Sequence, residues 1–300
     1  MKVCVTGAAG FLGRHVILAL NRAAHSVVGL DVEPVPKVAF STRADICNEW
    51  LKADITQPLA RIRGLDAVVH LAGVAAPNDC DKDPAKAFST NVNGTYQVLK
   101  MALESGARKV VFASSAHVYD IPPKYLPTDE VHPLRLNNTY TTTKLLGEEL
   151  CHLYFENHGL SYTTLRLYNA YGPGQALGYF IPDQIAKAGA GRIDLQGGNT
   201  TKDWVYVLDV ARAFVLAVET AFVGPLNIGT GKETELADIA CLIADATGAT
   251  FRYTRLPNAT RMCADIARAR RVLGWEPTTS IEEGLHATLD HAEVAHPVLS

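Results

Sequence analysis

A tyrosine and a lysine four residues apart, Tyr140 and Lys144, are the side chains of this sequence whose types and spacing point most directly to chemistry. On a helix this spacing places both side chains on one face. A phenol alone is a poor base at neutral pH, because its reference pKa is about 10. A neighbouring ammonium favours the phenolate and lowers that pKa, so the pair could take a proton from a hydroxyl while hydride leaves the same carbon.

The same pair has a simpler interpretation, in which a half-buried tyrosine and a solvated lysine stand at this spacing by chance. The apolar periodicity of residues 145–155 predicts a helix that would carry both side chains at its start. Three threonines lie between them, and β-branched residues have low helix propensity, so packing must hold this turn. The choice between the two interpretations depends on the elements that the rest of the chain supplies.

Composition excludes several classes of protein. The 300 residues are 48% hydrophobic and 20% charged, which is enough for a large core in one or two domains. A net charge of -3 with scattered Lys and Arg gives no reason to expect nucleic acid or a membrane as partner, and no apolar run is long enough to span a bilayer. Because a strand pattern begins at Lys2, we expect no secretory or transit segment and a cytoplasmic protein.

Cysteine and histidine spacing gives no sign of a metal site. The six cysteines are widely spaced and form no Cys-x-x-Cys or Cys/His ligand pattern, so we expect free thiols in a reducing cytosol. Two histidine pairs, His152 with His158 and His286 with His291, lack an accompanying cluster of carboxylates or cysteines. We interpret these histidines as surface or capping residues and expect no metal.

Gly7, Gly10 and Gly13 form a glycine-rich turn between a short apolar strand and a helical pattern. In that context the first glycine permits a tight turn, the second lets the backbone approach a pyrophosphate, and the third lets helix and strand pack closely. The spacing differs by one residue from the commonest dinucleotide fingerprint. A glycine-rich turn without a ligand is the alternative.

Asp31 ends a second predicted strand, residues 26–30, at the spacing of an acidic residue that binds the adenosine ribose hydroxyls. A carboxylate there repels a 2′-phosphate, and Val32 and Glu33 supply no arginine to receive one. We therefore expect NAD rather than NADP as the cofactor. The alternative is an aspartate that only shapes a turn.

Strand and helix patterns alternate through the first half of the chain. Further strands are predicted at residues 51–55, 67–73 and 109–113, with a helix at residues 84–104. Such alternation is the pattern of a doubly wound parallel sheet, whose ligands bind at the carboxyl ends of the strands. The polar and small residues expected at that edge, besides the glycine turn, are Asp31, Asp54, Ala72, Gly73, Ser115 and Tyr140.

Taken together, these residues resemble the extended short-chain dehydrogenase/reductase family, in particular its NAD-dependent nucleotide-sugar epimerase/dehydratase branch. The resemblance covers essentially the whole chain. The matching motifs are residues 6–13, 70–73, 91–95 and 114–119, Tyr140 with Lys144, and residues 166–174, 202–210, 227–231 and 273–277.

The resemblance implies an α/β fold, a Rossmann doubly wound parallel sheet with a smaller, interleaved α/β substrate domain. Residues 1–169 plus about 203–228 would form the NAD-binding domain. Residues from about 170 to 202 plus 229–300 would form the substrate domain.

The resemblance also implies roles for single residues. Ser115 would hydrogen-bond the reacting hydroxyl, Tyr140 would act as base, and Lys144 would bind the nicotinamide ribose. The implied cofactor-binding residues are Gly7, Gly10, Phe11, Leu12, Gly13, Asp31, Asp54, Ile55, Leu71, Ala72, Gly73, Asn91, Ser114, Tyr140 and Lys144. The implied substrate-binding residues are Ala75, Ser115, Ala116, Tyr140, Asn169, Phe180, Lys202 and Arg255, of which Lys202 or Arg255 would meet a diphosphate unless both are surface residues.

Departures from the family pattern bear on the reaction. Ala116 and His117 stand where the family's sugar dehydratases carry an Asp-Glu pair, which disfavours dehydration; the missing Glu at His117 also disfavours decarboxylation. Lys202 replaces a common arginine and cannot make a bidentate phosphate contact. Tyr179 precedes Phe180 where an Asn-Leu pair often grips the nucleotide.

The function implied is NAD-dependent epimerisation of a nucleotide sugar, UDP-hexose 4-epimerisation of the UDP-glucose/UDP-galactose type, through a transient 4-keto sugar. Two alternatives remain: a sugar dehydrogenase or ketoreductase with the same Ser/Tyr/Lys site, and a non-catalytic NAD-binding regulatory protein. The resemblance further implies a homodimer through helices at residues 85–104 and 140–156, whose apolar residues could instead be buried within the monomer.

Overall fold

The strands of the central sheet are short and, except for the edge strand Glu49–Lys52, mostly buried on both faces. The computed structural model describes residues 1–34 and 47–295. The sheet contains β1 (Lys2–Thr6), β2 (Ser26–Asp31), β3 (Glu49–Lys52), β4 (Ala67–His70), β5 (Lys109–Ser115), β6 (Ser161–Leu167) and β11 (Gly224–Ile228). All pairs are parallel, in the order β11-β6-β5-β4-β1-β2-β3. Strand order reverses between β1 and β4, where doubly wound sheets bind ligands.

Helices cover both faces, because successive side chains of each strand point to opposite sides. Val3 and Val5 pack with the helices α1 (Phe11–Arg22) and α7 (Val207–Glu219) on one face. Cys4, from the same strand, packs on the other face with α4 (Gly94–Glu104) and α5 (Thr139–His158). The predicted doubly wound α/β fold is thus confirmed.

Several boundaries differ from the prediction; β4, for example, ends at His70 rather than at residue 73. The expected helix at residues 84–104 is divided into α3 (Pro84–Phe88), a π-helical turn (Ser89–Asn93) and α4. The third strand, β3, ends before Asp54, whose carboxylate instead accepts the backbone N–H of Thr56 at 2.8 Å in a turn. β5 extends two residues beyond the predicted end at 113, so Ser115 is its last residue and its backbone is held by the sheet.

The second half of the chain adds three small sheets and a separate core. The strand pairs are β7 (Asn169–Tyr171) with β10 (Trp204–Tyr206), β8 (Arg192–Leu195) with β13 (Thr250–Tyr253), and β9 (Thr201–Lys202) with β12 (Thr234–Glu235). The helices are α2 (Pro77–Lys82) beside the main sheet, and α6 (Phe180–Gly189), α8 (Leu236–Thr247), α9 (Ala267–Leu273) and α10 (Ile281–Ala295).

The chain therefore leaves the main sheet after β6 and returns to it as β11. A hydrophobic cluster formed by α6, β8, α8 and α10 is distinct from the two clusters that flank the main sheet. Domain boundaries near residues 169, 203 and 228 stay a prediction, and residues 296–300 lie outside the described part of the chain. Among the described residues, no helix is both long and apolar enough to cross a membrane.

Candidate active site

A cavity of about 1060 Å³ opens at the carboxyl edge of the main sheet. Because the strands are parallel, the residues that follow them meet along this edge in strand order. The predicted residues on its wall are Gly7, Gly10, Phe11, Leu12, Gly13, Asp31, Asp54, Ile55, Leu71, Ala72, Gly73, Ala75, Ser114, Ser115, Tyr140, Lys144, Asn169 and Phe180. The structure thus brings together most of the residues that lie far apart in the sequence.

The glycine turn after β1 packs so closely against the neighbouring backbone that a side chain would collide with it. Gly7 has a φ of +67°, and a Cβ added there would lie 2.7 Å from the backbone nitrogen of Ala72. A Cβ at Gly13 would lie 2.1 Å from the Gly7 carbonyl oxygen. Gly10 precedes α1 without a side-chain cap, so the first N–H groups of the helix point to the cavity end and suit an anion. These features fit the pyrophosphate of a dinucleotide.

Asp31 closes the adenosine end of the cavity. One carboxylate oxygen accepts the backbone N–H of Ala9 at 2.9 Å, and the other accepts that of Glu33 at 3.0 Å. The aspartate therefore shapes its turn and also presents a negative charge at the cavity wall. Both roles considered from the sequence are compatible, because a carboxylate has lone pairs beyond those used here.

Tyr140 and Lys144 lie in the first turns of α5, at the other end of the cavity. Asn138 caps the helix by accepting the backbone N–H of Thr141 at 2.8 Å. The Lys144 ammonium donates to the Ala113 carbonyl at 2.9 Å and lies over the Phe112 ring at 5.3 Å. Tyr140 and Lys144 therefore lie on the same face of the helix, as the sequence predicted.

Burial dominates the protonation of this pair in the protein without a cofactor. Burial raises the pKa of Tyr140 to about 12, although the nearby Ser115 hydroxyl acts to lower it. Lys144 lies 5.9 Å from the centre of the phenol ring, too far to outweigh burial, and its own pKa falls to about 8 because it is buried. In the protein alone Tyr140 is therefore a neutral phenol at pH 7.

The three threonines after Tyr140 have a structural role. Thr143 donates its hydroxyl to the Tyr140 carbonyl at 2.9 Å and accepts a hydrogen bond from the Asn91 amide at 3.0 Å. The Asn91 amide oxygen also accepts the backbone N–H of Val74 at 2.7 Å. Asn91 therefore lies behind the cavity wall, contrary to its predicted place at the cofactor, and joins the loop after β4 to α5. These side-chain bonds explain how a β-branched turn is held.

Ser115 and His117 interact at the end of β5. The Ser115 Oγ accepts the backbone N–H of His117 at 3.2 Å and lies 3.1 Å from the Nδ1 atom of its ring. Burial, and secondly the charge of Lys202, lowers the pKa of His117 to about 4, so the ring is neutral at pH 7. His117 lines the cavity, although the sequence marked it only as a departure from a motif.

Of the predicted substrate-binding residues in the second half of the chain, Lys202 and Arg255 do not line the cavity. Lys202 lies behind the cavity wall, with its ammonium 3.1 Å from the Met262 sulfur and no ion pair with any described carboxylate. Burial lowers its pKa. Arg255 is 61% exposed in its side chain and pairs with Glu235 at 3.5 Å. Ala116 lines a small neighbouring cleft that also contains Met262.

Aromatic residues that the sequence did not assign complete the wall. Tyr179 and Trp204 line the cavity, and the Trp204 ring lies 5.6 Å from that of Phe180. The position of Trp204 depends on the pairing of β10 with β7, where it lies opposite Asn169, and no local sequence pattern shows this pairing. Among the described residues, no group of three His, Cys, Asp or Glu side chains could hold a metal ion.

The model of one protein family, described as the NAD dependent epimerase/dehydratase family, matches residues 3–229. The chain belongs to this family. It is 34% identical to the UDP-glucose 4-epimerase of Mycolicibacterium smegmatis over 313 residues, covering 97% of this chain and 98% of that protein. The resemblance noted in the sequence is confirmed, and the protein is an NAD-dependent enzyme of the extended short-chain dehydrogenase/reductase type.

Two further relatives show the range of related chemistry. The structure of the Thermotoga maritima UDP-glucose 4-epimerase with UDP-glucose superimposes with a TM-score of 0.87 at 28% identity, covering 98% of this chain and 99% of that one. UDP-glucuronic acid decarboxylase 1 of Xenopus tropicalis is 28% identical over 310 residues, covering 97% of this chain and 72% of that protein. The family therefore includes more than one reaction at this level of similarity.

Proposed function

We propose that the protein is a UDP-hexose 4-epimerase of the UDP-glucose/UDP-galactose type. The observation that carries this proposal is the convergence of Ser115, Tyr140 and Lys144 on one cavity wall, next to the glycine turn that follows β1. Proton transfer groups and a dinucleotide cradle in one cavity suit reversible oxidation of an alcohol. The similarity to UDP-glucose 4-epimerases supports the choice of substrate.

In this mechanism the chain positions the sugar and moves its hydroxyl proton. NAD, when bound, would supply the hydride acceptor and donor for the sugar carbon. Tyr140 takes the hydroxyl proton, and the positive charge that the cofactor adds favours the phenolate, opposing the effect of burial. Ser115 hydrogen-bonds the reacting oxygen, while Lys144 binds the cofactor ribose and remains fixed by Ala113.

Lys202 is the cation best suited to the diphosphate. A half-buried ammonium without a carboxylate partner loses part of its hydration, and an anion nearby would compensate for this loss. Lys202 forms no ion pair with any described residue, whereas Arg255 already pairs with Glu235. Holding the diphosphate while leaving the hexose free would let the keto sugar turn between the two hydride transfers.

The chemistry of the β5 end favours epimerisation over the other reactions of the family. The side chain of Ala116 is neither an acid nor a base, and His117 is a neutral imidazole hydrogen-bonded to Ser115. Neither residue supplies the carboxylate that dehydration and decarboxylation use in the resembling enzymes. An NAD-linked sugar dehydrogenase with the same three residues remains the second candidate, because it differs only in cofactor release.

We further propose that the enzyme acts as a homodimer. Four large apolar side chains on α3, α4 and α5 are exposed on the outer surface: Phe88, Tyr96, Leu146 and Leu153. Burial within the monomer, the alternative considered from the sequence, does not account for these four. A partner's equivalent helices would cover them.

The test is to incubate purified protein separately with UDP-glucose and UDP-galactose, following sugars by chromatography and reduced nicotinamide by absorbance. Interconversion without accumulating NADH is expected. Stoichiometric NADH with an oxidised sugar would identify a dehydrogenase instead. A Tyr140→Phe variant separates both from a non-catalytic NAD-binding protein, because a proton-transfer enzyme should lose about 100-fold or more in kcat.

A further inference from the structure

The loop between β7 and α6, residues 172–179, forms one wall of the cavity that the glycine turn also lines. Gln175 and Tyr179 of this loop border the same space as Gly10 and Gly13. The loop belongs to the second half of the chain, whereas the glycine turn follows the first strand. The space in which the glycine turn could hold a dinucleotide is therefore bordered by a segment that is far away in the sequence.

Arg14 joins the glycine turn to this loop directly. It lies in the first turn of α1, and its Nε atom donates to the Gly10 carbonyl at 3.3 Å. Its Nη2 atom donates to the Gly174 carbonyl at 3.0 Å. The guanidinium is half-buried, and no carboxylate in the described part of the chain forms an ion pair with it. Its position is thus set by the two backbone carbonyls that it bridges.

His15, the next residue of α1, makes a second link to the loop. Its Nε2 atom lies 3.0 Å from the Pro173 carbonyl oxygen. Burial lowers the pKa of His15, so the ring is neutral at pH 7, and because a carbonyl only accepts, the single ring proton is on Nε2. The ring also meets that of Phe11 edge-on, with 5.7 Å between centroids, and Phe11 lines the cavity. His15 therefore supports the cavity wall from behind.

The loop has little that would hold it in place from within. Gly174 has a φ of +80°, and a Cβ added there would lie 2.9 Å from the Arg14 Nη2 atom, so the bond to Arg14 requires glycine at this position. Leu177, the one large aliphatic side chain of the loop, is 70% exposed and gives it no apolar anchor. Segments with few buried contacts open locally at low cost. The two links from α1 are therefore important for keeping the loop closed.

We propose that Arg14 and His15 are positioning residues that hold the loop 172–179 against the glycine turn and thereby slow the release of the dinucleotide; this inference rests on the proposed function. Epimerisation requires slow release, because the reduced cofactor must stay beside the keto sugar until hydride returns. A dehydrogenase with the same catalytic residues must exchange its cofactor in every turnover. The two links therefore act on the property that separates the two candidate reactions.

The first test measures NADH release from Arg14→Met and His15→Phe. NADH-loaded protein is mixed with excess NAD, and the decay of nicotinamide fluorescence gives the dissociation rate constant. Each variant should release NADH about tenfold faster, the factor that corresponds to the loss of one hydrogen bond. Phenylalanine keeps an aromatic ring against Phe11 and removes only the N–H donor. A rate constant equal to that of the wild type in both variants would overturn the inference.

Arg22→Met is the matched control. Arg22 is on the same helix as Arg14, but it is exposed in the last turn and does not line the cavity. This variant should release NADH at the wild-type rate. Faster release confined to Arg14→Met and His15→Phe would then not be explained by the loss of a positive charge from α1.

Turnover provides a second readout. With UDP-galactose and no added NAD, the activity of Arg14→Met should decline as NADH leaves the protein, and added NAD should restore it. The wild type should need no added cofactor. Activity that added NAD does not restore would show that the substitution damages catalysis rather than retention, and would overturn the inference.

A third readout needs no cofactor. In cofactor-free protein, amide hydrogen exchange of residues 172–178 should be faster in Arg14→Met than in the wild type, while that of β8 should be unchanged. Equal exchange of the loop in both proteins would overturn the inference. A wild type that binds NADH but converts neither UDP-sugar would count against the proposed function alone, because the release rate and the exchange rate would still decide the inference.

Discussion

Glu148 and Arg166 form a buried, two-point ion pair next to Ser114, near the end of β5. The Arg166 Nε and Nη2 atoms donate to the two Glu148 carboxylate oxygens at 3.0 and 2.7 Å. The same carboxylate accepts the Ser114 hydroxyl at 2.5 Å. Glu148 lies one turn after Lys144 on α5, and its charge acts to raise the pKa of that lysine. The pair therefore joins the catalytic helix to β5 and β6.

Glu148→Gln should destabilise the fold by about 3–5 kcal/mol, because it leaves the Arg166 charge buried without its counter-ion. The midpoint of chemical unfolding measures this loss. The double variant Glu148→Leu with Arg166→Met removes both charges and should be more stable than the single variant. A single variant as stable as wild type would show that the pair contributes no net stability.

Asp31→Asn should shift cofactor preference from NAD toward NADP. The amide oxygen can replace only one of the two carboxylate oxygens, so the N–H of Ala9 or Glu33 loses its acceptor, and the charge that repels a 2′-phosphate is removed. We expect the affinity for NAD to fall about tenfold, which is the value of one hydrogen bond to a charged group. The ratio of NAD affinity to NADP affinity should fall further. Titration calorimetry with both cofactors measures this. Glu33→Gln is the control, and an unchanged ratio in Asp31→Asn would refute the assigned role.

The sequence predicted those parts of the site that depend on local spacing. Gly7, Gly13, Asp31 and Tyr140 each follow a strand or begin a helix at a fixed offset, so the order of elements places them at one edge of the sheet. The predicted fold class is confirmed for the same reason, because alternating strands and helices leave few ways to bury every apolar face.

The remaining features depend on contacts between distant segments. The π-helical turn at Ser89–Asn93 is explained by Asn91 bonding Val74 and Thr143, from two other elements. The high pKa of Tyr140 results from burial, which residue spacing does not reveal. Lys202 is 60 residues from the Met262 sulfur that it contacts. Such pairings require the folded chain.

Lys202→Met should weaken UDP binding more than Arg255→Met does. The loss expected for Lys202 is about 10- to 100-fold, the value of a hydrogen bond to a charged group. Arg255 is more exposed and shares its charge with Glu235, so its removal should cost less. Titration calorimetry with UDP ranks the two. Equal affinity of Lys202→Met and wild type would remove Lys202 from the substrate site.

Acidification should destabilise the protein through His70. Burial, and secondly the charge of Lys144, lowers the pKa of His70 from 6.5 to about 3. Below pH 6.5 the unfolded chain therefore binds a proton that the folded chain does not, and stability falls as pH decreases toward 3. Each such histidine contributes up to about 1.4 kcal/mol per pH unit to the slope of the unfolding free energy against pH.

Unfolding free energies measured between pH 5 and 6.5 test this slope, because most carboxylates titrate below that range. His70→Gln should flatten the slope without abolishing it, since His117 has a pKa lowered in the same direction. His152→Gln, at an exposed position on α5, should leave it unchanged. A slope equal in wild type and His70→Gln would contradict the prediction.

Leu153→Glu should convert the proposed dimer into monomers. Leu153 is 50% exposed on α5, and a partner helix packed on it would have to bury the new carboxylate at a cost of several kcal/mol. Sedimentation velocity at micromolar concentration measures the change in mass. Leu208→Glu is the control, since Leu208 is 43% exposed but lies on α7, on the opposite face of the sheet. It should leave the dimer intact; a wild type that sediments as a monomer would exclude the dimer at that concentration.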